Sequence, residues 1–338
     1  MINVGIVGIS GYSGGLLLEI LLKHKDVRIT YASAGNTTGP ITKIWPRLKG
    51  LTKLVCKKFN AQDAADKCDL IFLAVPHTVS ISLTPHLLKN GLKVIDLSGD
   101  FRLDSATQYK KFYKTDHTEI KLLKKAVYGL SELHREDIKD ATLVANPGCY
   151  PTAAILALTP AIVQLSKNIN TIMIDAKSGV SGAGKKAAVS LLANEVKENF
   201  KAYKVLTHQH TPEINLYLGK INKFTPKVNF VPHLLPIKQG ILETIYVQLN
   251  KKITLKSIHT AYTRFYKTEK FVRVLDLGDQ VEIKNVVHTN YCDISLALSE
   301  DRTLLVITTV IDNLMKGAAS QAVQNMNIMC NFKETEGI

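Results

Sequence analysis

Over the first 145 residues, apolar positions come in short, nearly unbroken runs at 2–7, 27–33, 69–75, 93–97 and 142–145, separated by stretches with helical apolar spacing. Unbroken aliphatic runs mark strands covered on both faces, which predicts a parallel sheet. One helical stretch runs from Gly15 to Lys23 and another ends near Asn90. This alternation predicts an α/β, doubly wound, Rossmann-type domain. Past residue 149 the pattern changes. Runs at 170–176, 229–235, 240–249, 291–298 and 304–311 read as longer strands, with a short one at 202–206 and helices at 153–165, 188–199 and 313–329. Strands and helices no longer alternate strictly, so this half predicts an α+β domain with a mostly antiparallel sheet. No repeat, low-complexity tract or linker separates the halves.

In a doubly wound sheet, ligands collect outside the carboxyl ends of the strands, and each predicted strand end carries polar or glycine-rich sequence. After the first comes Gly8-Ile9-Ser10-Gly11-Tyr12-Ser13-Gly14, a GxxGxxG variant of the dinucleotide turn. Glycines there let the backbone approach a pyrophosphate at a helix N-terminus, which makes Gly8, Ser10, Gly11, Tyr12, Ser13 and Gly14 cofactor candidates. The second strand ends in Ser33-Ala34-Gly35-Asn36-Thr37, without the acid that would take a ribose hydroxyl, so Ser33 is read toward a 2′-phosphate and the cofactor as NADP(H). Pro76-His77 follows the third run, and His77 either caps the next helix or faces a ligand. Ser98 to Arg102 follows the fourth; Arg102 pairs either with a substrate anion or with Asp100 or Asp104. In the second half, Ser178, Gly179 and Gly182 lie in a Gly/Ser loop followed by Lys185-Lys186 that could cover an anion, although it is not a P-loop.

The chemistry centres on Asn146-Pro147-Gly148-Cys149-Tyr150-Pro151-Thr152. Pro147 and Gly148 force a turn after a strand, and Pro151 suits a first helical turn. Cys149 therefore falls at a helix N-terminus, where unpaired N–H groups and the dipole favour a thiolate able to attack an acyl carbon. An arbitrary cysteine is usually core filling; the turn and helix start reverse that reading here. His208-Gln209-His210-Thr211-Pro212-Glu213 supplies an acid/base suited to neutral pH. His210 is preferred, with Glu213 three residues on to orient it.

Five cysteines without CxxC or finger spacing argue against a disulfide framework or a metal site and suit a reducing, cytoplasmic setting. The N-terminus enters a strand pattern with no signal-like region. No apolar run reaches the ~18–20 residues of a membrane span, because Pro160 and polar residues interrupt the longest. The net charge of +14 comes from dispersed lysines with no nucleic-acid signature, so it implies a field attracting anionic small molecules.

These residues resemble the N-acetyl-gamma-glutamyl-phosphate reductase family, in its longer form, over essentially the whole chain. The resemblance is carried by Ala145 to Thr152 with Pro160, by Gly8 to Gly14, Asp96 to Leu103, Tyr128 to Leu133, Lys177 to Gly184, His208 to Ile214, Val231 to Pro236, Asn290 to Ile294 and Asp312 to Gln321. It is more distantly similar to aspartate-semialdehyde and glyceraldehyde-3-phosphate dehydrogenases. The resemblance implies an NADP-dependent reductase of an acyl phosphate, with Cys149 as nucleophile, His210 as acid/base, and a homodimer or homotetramer. It also implies that the last helix returns to the first domain, giving 1–148 with 313–338 for NADP and 149–312 for catalysis, and adds Asn313 to the cofactor candidates. Asn146 and His208 join Arg102 as substrate candidates. The family pattern has Pro at Ser131, Ala at Gly99 and Arg at Gln239; if that Arg holds a substrate anion, Lys238 is its replacement. The competing readings are a sister reductase of glutamyl or aminoadipyl groups on a small acidic carrier protein, a nucleotide sensor, which Cys149 and His210 oppose, and a cysteine hydrolase, which needs no dinucleotide turn.

Overall fold

In the computed structural model, residues 1–185, 197–225 and 228–338 are described. The helix expected at 188–199 therefore lies almost wholly outside the described residues. The chain forms two compact units, Met1–Gly148 with Ala318–Ile338, and Cys149–Gly317.

The first unit is built on strands β1 (Ile2–Val7), β2 (Val27–Ser33), β5 (Leu70–Leu73), β6 (Lys93–Asp96), β7 (Val127–Tyr128) and β8 (Leu143–Ala145). A two-residue ladder, β3 (Gly39–Pro40) with β4 (Val55–Cys56), stands apart. The sheet order is β2-β1-β5-β6-β8-β7, parallel throughout. Its register decides where function can sit. Ser33, Val7, Leu73, Asp96, Ala145 and Tyr128 form one row across the sheet. The turn from Gly8, the Pro76 loop, the loop to Arg102, Gly129 and Asn146 all emerge just beyond that row. β5 is fully buried along its length, as its unbroken Leu-Ile-Phe-Leu run requires.

The second unit holds β9 (Ile169–Gly179), β10 (Lys201–Ala202), β11 (Val228–Leu235), β12 (Ile241–Leu249), β13 (Val272–Val274), β14 (Cys292–Leu298) and β15 (Leu304–Ile311). The order is β10-β11-β9-β12-β15-β14-β13, antiparallel except for β11 with β9 and β13 with β14. Burial alternates strictly along β12, with Ile241, Glu243, Ile245, Val247 and Leu249 inward. Helices Cys149–Leu165, His210–Lys220 and Leu255–Phe265 pack together, the first against β12 and β15. Glu243 is fully buried there with neither carboxyl oxygen hydrogen-bonded, and burial pushes its pKa well above the usual carboxylate range.

Helix Cys149–Leu165 contains the apolar helix expected at 153–165, begins at Cys149 as the turn before it requires, and continues through Pro160. Proline removes the N–H that would satisfy the carbonyl of Leu156. Tyr266 donates its hydroxyl to that carbonyl, and Tyr262 donates to Ala157. The stretch Cys149–Asn168 is thus long and apolar enough to cross a membrane, but 78% of the apolar window is buried inside the protein, as expected of a core helix. The expected final helix also differs: a π-helical turn at Met315–Ala319 precedes the α-helix Ser320–Met329.

Candidate active site

The glycine turn of the first unit closes on itself. Gly8 has φ +94°, and a Cβ there would stand 2.1 Å from the carbonyl oxygen of Ala74; at Gly14 it would stand 2.4 Å from that of Gly8. Both positions therefore require glycine. Ser33 is fully buried, and its carbonyl accepts the N–H groups of Gly8 and Ile9 at 2.7 and 3.1 Å. The sequence reading aims the Ser33 side chain at a 2′-phosphate; the structure uses its backbone to hold the turn. Beside it, a parallel bridge brings Lys57, an exposed cation that sequence reading left among the scattered lysines. Helix Tyr12–Leu21 begins at Gly11 with no side-chain cap, while Ser10 and Ser13 are half-buried and Tyr12 is exposed. An uncapped helix start behind a turn of this tightness fits the pyrophosphate of a dinucleotide.

Further along the same sheet edge, two fully buried carboxylates organise the loops. Asp100 accepts the Thr78 N–H at 2.7 Å, the Ile81 N–H at 3.3 Å and the Tyr109 hydroxyl at 2.7 Å. It holds Thr78 at φ +74°, a region that β-branched residues rarely enter, two residues after the exposed Pro76. His77 accepts the Gly99 N–H on Nδ1 at 2.8 Å. Asp96 takes the N–H and hydroxyl of Ser98. Its burial, reinforced by the Asp100 charge, pushes its pKa up to about 7. Gly99 lacks the Cβ that would stand 2.1 Å from the Tyr113 hydroxyl, so the tyrosine fills the space an alanine would need. Arg102 is buried and donates to the carbonyls of Asn146 and Leu97, both at 2.8 Å.

In the second unit, Cys149 is the first residue of its helix and partly exposed. Gly317 presses on it: a Cβ at Gly317 would lie 2.7 Å from the Cys149 Cβ. Tyr150, which sequence reading passed over, anchors a cluster beside it. Its ring meets His208, His210 and Phe230 edge-on at 5.7, 5.9 and 5.2 Å between centroids, and its hydroxyl lies 3.1 Å from that of Tyr203. Burial pushes the Tyr203 phenol up to about 12; the bond to Tyr150 opposes the rise and the Cys149 charge adds to it. The structure thus brings His208 and His210 together, their rings 4.7 Å apart, and His208 Nδ1 accepts the His210 N–H at 3.1 Å. That bond assigns the proton of neutral His208 to Nε2. Glu213 is fully buried on the first turn of His210's helix.

The Gly/Ser loop is zipped to the turn before β12. Gly179, Val180 and Ser181 donate to the carbonyls of Gly240, Ile237 and Lys238 at 2.9, 2.9 and 3.0 Å. Ser178 Oγ turns onto the Gly179 carbonyl, and Gly182 is exposed. Asn313 ties the loop in, donating to Ser181 Oγ at 3.0 Å and accepting the Gly240 N–H at 2.7 Å. Lys238 is exposed, whereas Gln239 is buried and donates to both oxygens of Asp312, which also accepts the N–H groups of His288, Leu314 and Met315. Position 239 therefore faces an internal carboxylate.

A parallel doubly wound sheet with a glycine turn and an uncapped helix start at its carboxyl edge defines the class as a nucleotide-dependent oxidoreductase. Two family models match accordingly: the semialdehyde dehydrogenase NAD binding domain over residues 3–141 and the semialdehyde dehydrogenase dimerisation domain over residues 149–313. The fold resembles the crystal structure of aspartate semialdehyde dehydrogenase II complexed with ASA from Vibrio cholerae, with TM-score 0.74 and 17% identity covering 98% of each chain. It likewise resembles aspartate semialdehyde dehydrogenase with NADP from Candida albicans, with TM-score 0.72 and 13% identity covering 98% of each. Among sequences, N-acetyl-gamma-glutamyl-phosphate reductase of Desulfotalea psychrophila is 45% identical over 340 residues, covering 100% of this chain and 98% of that one. The same-named protein of Clostridium beijerinckii is 43% identical, covering 100% and 98%. The chain belongs to the N-acetyl-gamma-glutamyl-phosphate reductase family.

Proposed function

We propose that this chain reduces N-acetyl-γ-glutamyl phosphate to N-acetylglutamate semialdehyde and phosphate, as a step of L-arginine biosynthesis, through a thioester on Cys149. The observation that carries the reading is the seat of Cys149, at the start of a buried helix with the Gly317 backbone against its Cβ. The thiolate attacks the acyl carbon, and the acyl–phosphate C–O bond breaks as phosphate leaves with its electron pair. First-turn amides of the Cys149 helix stabilise the oxyanion. NADPH, when bound, supplies hydride. Gly8, Ser10, Gly11, Tyr12, Ser13, Gly14 and Pro76 would hold it, and Ser178, Gly179, Gly182 and Asn313 are the further candidates for contacts to it. Lys57 supplies the cation beside the end of β2 that suits a 2′-phosphate. His210 protonates the carbonyl oxygen as the carbon becomes tetrahedral and takes that proton back as the C–S bond breaks and the aldehyde leaves. Glu213 orients His210, and His208, Lys238 and Arg102 serve the substrate end.

The half-exposed face of the second sheet, with Met173, Thr244, Tyr246 and Val306, suits self-association into a homodimer or homotetramer. Five free cysteines suit a reducing cytoplasm. The test is NADP-dependent oxidation of N-acetylglutamate semialdehyde with phosphate present or omitted, on wild type and Cys149→Ala. Phosphate-dependent formation of reduced nicotinamide that disappears in the variant supports the assignment. Folded, NADP-binding wild type that gives no turnover removes it.

A further inference from the structure

The turn carrying Cys149 is braced by a buried amide network that no step of the reaction uses. Helix Ser320–Met329 has no polar side that faces solvent: Gln321, Gln324, Asn325 and Asn327 are all fully buried. Asn325 uses its whole amide. Its Nδ2 donates to the Gly129 carbonyl at 2.8 Å and to Asn146 Oδ1 at 3.0 Å, and its Oδ1 accepts the Ser131 hydroxyl at 2.8 Å. Gln321 donates to the same Gly129 carbonyl at 3.0 Å and to Ser131 Oγ at 2.8 Å. The site is built closely around this amide, since a Cβ on Gly129 would stand 2.4 Å from Asn325 Nδ2.

Asn146, the recipient, is engaged at every polar group. Its N–H donates to the Asp96 carbonyl at 2.8 Å and its carbonyl accepts Arg102 Nε at 2.8 Å. Its Nδ2 donates to the Ala318 carbonyl at 3.2 Å, which leaves Oδ1 to Asn325. The two ends of an amide are nearly alike in shape, so the donor on Oδ1 and the acceptor at Nδ2 together set which way it faces. From there only Pro147 and Gly148 separate Asn146 from the thiol-bearing residue. We infer that Asn325 is a positioning residue for the reaction, acting through Asn146 to fix the Pro147-Gly148 turn and the direction in which the Cys149 thiol is presented. The inference rests on Cys149 being the nucleophile.

The test compares Asn325→Ala, Asn146→Ala and the double variant. Two readouts are steady-state kinetics and the rate at which iodoacetamide alkylates Cys149, mapped by peptide mass. Cys330, partly buried just past the same helix, is the internal control. In Asn325→Ala, kcat falls by about 10- to 100-fold while KM stays within about twofold. Cys149 alkylation slows several-fold and Cys330 keeps its rate. The double variant is no worse than Asn146→Ala alone, because the two act in one chain. An unchanged Cys149 rate, a rise at Cys330 that signals a loosened helix, or multiplicative losses in the double variant overturns the inference. If Asn325→Ala does not fold, Ser131→Ala carries the test, since it removes the hydroxyl on Asn325 Oδ1: slowed Cys149 alkylation supports the inference and an unaltered rate overturns it. Wild type that alkylates at Cys149 without turning over the semialdehyde counts against the substrate alone, because alkylation reads the turn directly.

Discussion

At the scale of single residues, close backbone approaches and buried charges set what can change. Gly317 is defined by a virtual Cβ 2.7 Å from the Cβ of Cys149, with backbone at 3.2 Å behind it. Neither side can yield without moving the nucleophile, so Gly317→Ala lowers kcat by about 100-fold while NADP affinity is kept. Single-turnover kinetics with a binding titration check this, and an unchanged kcat sinks it. Asp96 gives a pH signature. Burial and the Asp100 charge raise it from 3.8 to about 7, so the folded chain keeps its proton to higher pH than the unfolded chain. Its contribution to stability is therefore full below the unfolded pKa and is lost as pH rises through about 7. Urea midpoints of wild type measured from pH 4 to 8 carry that decline, and Asp96→Asn flattens it. A variant whose curve keeps the wild-type slope refutes the assignment. Glu243 acts with the same sign, its pKa raised well above the ordinary value by burial on β12.

At the scale of elements, helix Cys149–Leu165 shows tertiary contacts rescuing a local break. Pro160 removes one helical donor, and Tyr266 supplies another to the Leu156 carbonyl. Tyr266→Phe strands that buried carbonyl and costs about 1–3 kcal/mol. In a Pro160→Ala background the helix regains its own donor, so the same tyrosine change costs less. A double-mutant cycle in urea measures the coupling, and additive losses would show that the tyrosine does not replace the missing donor. The Gly/Ser loop is a second element-level result. Its sequence suggests a flexible anion cover, yet Gly179 to Ser181 form a short ladder with the carbonyls at 237–240 because Gly179 has no Cβ to keep Gln239 away.

For the whole molecule, a charge of +14 on dispersed lysines makes a field that draws in anionic ligands. Raising ionic strength from about 0.01 M to about 0.2 M raises KM for NADP and for phosphate several-fold and leaves kcat unchanged, as screening removes long-range attraction. A KM indifferent to salt removes the steering argument. By itself the sequence determined the α/β then α+β order, the glycine turn after the first strand, and Cys149 at a helix start, because periodicity, glycines and prolines act over a few residues. Only the tertiary structure decided what long-range partners impose. Pro160 stays helical because Tyr266 is 106 positions away in sequence but adjacent in space. Gln239 faces Asp312, and Arg102 braces Asn146, because buried donors go to whichever acceptors the packed chain brings near. Asn325 carries no local signal for its tie to Asn146, because its partners lie on Gly129, Ser131 and Asn146, which only the closed fold places beside it.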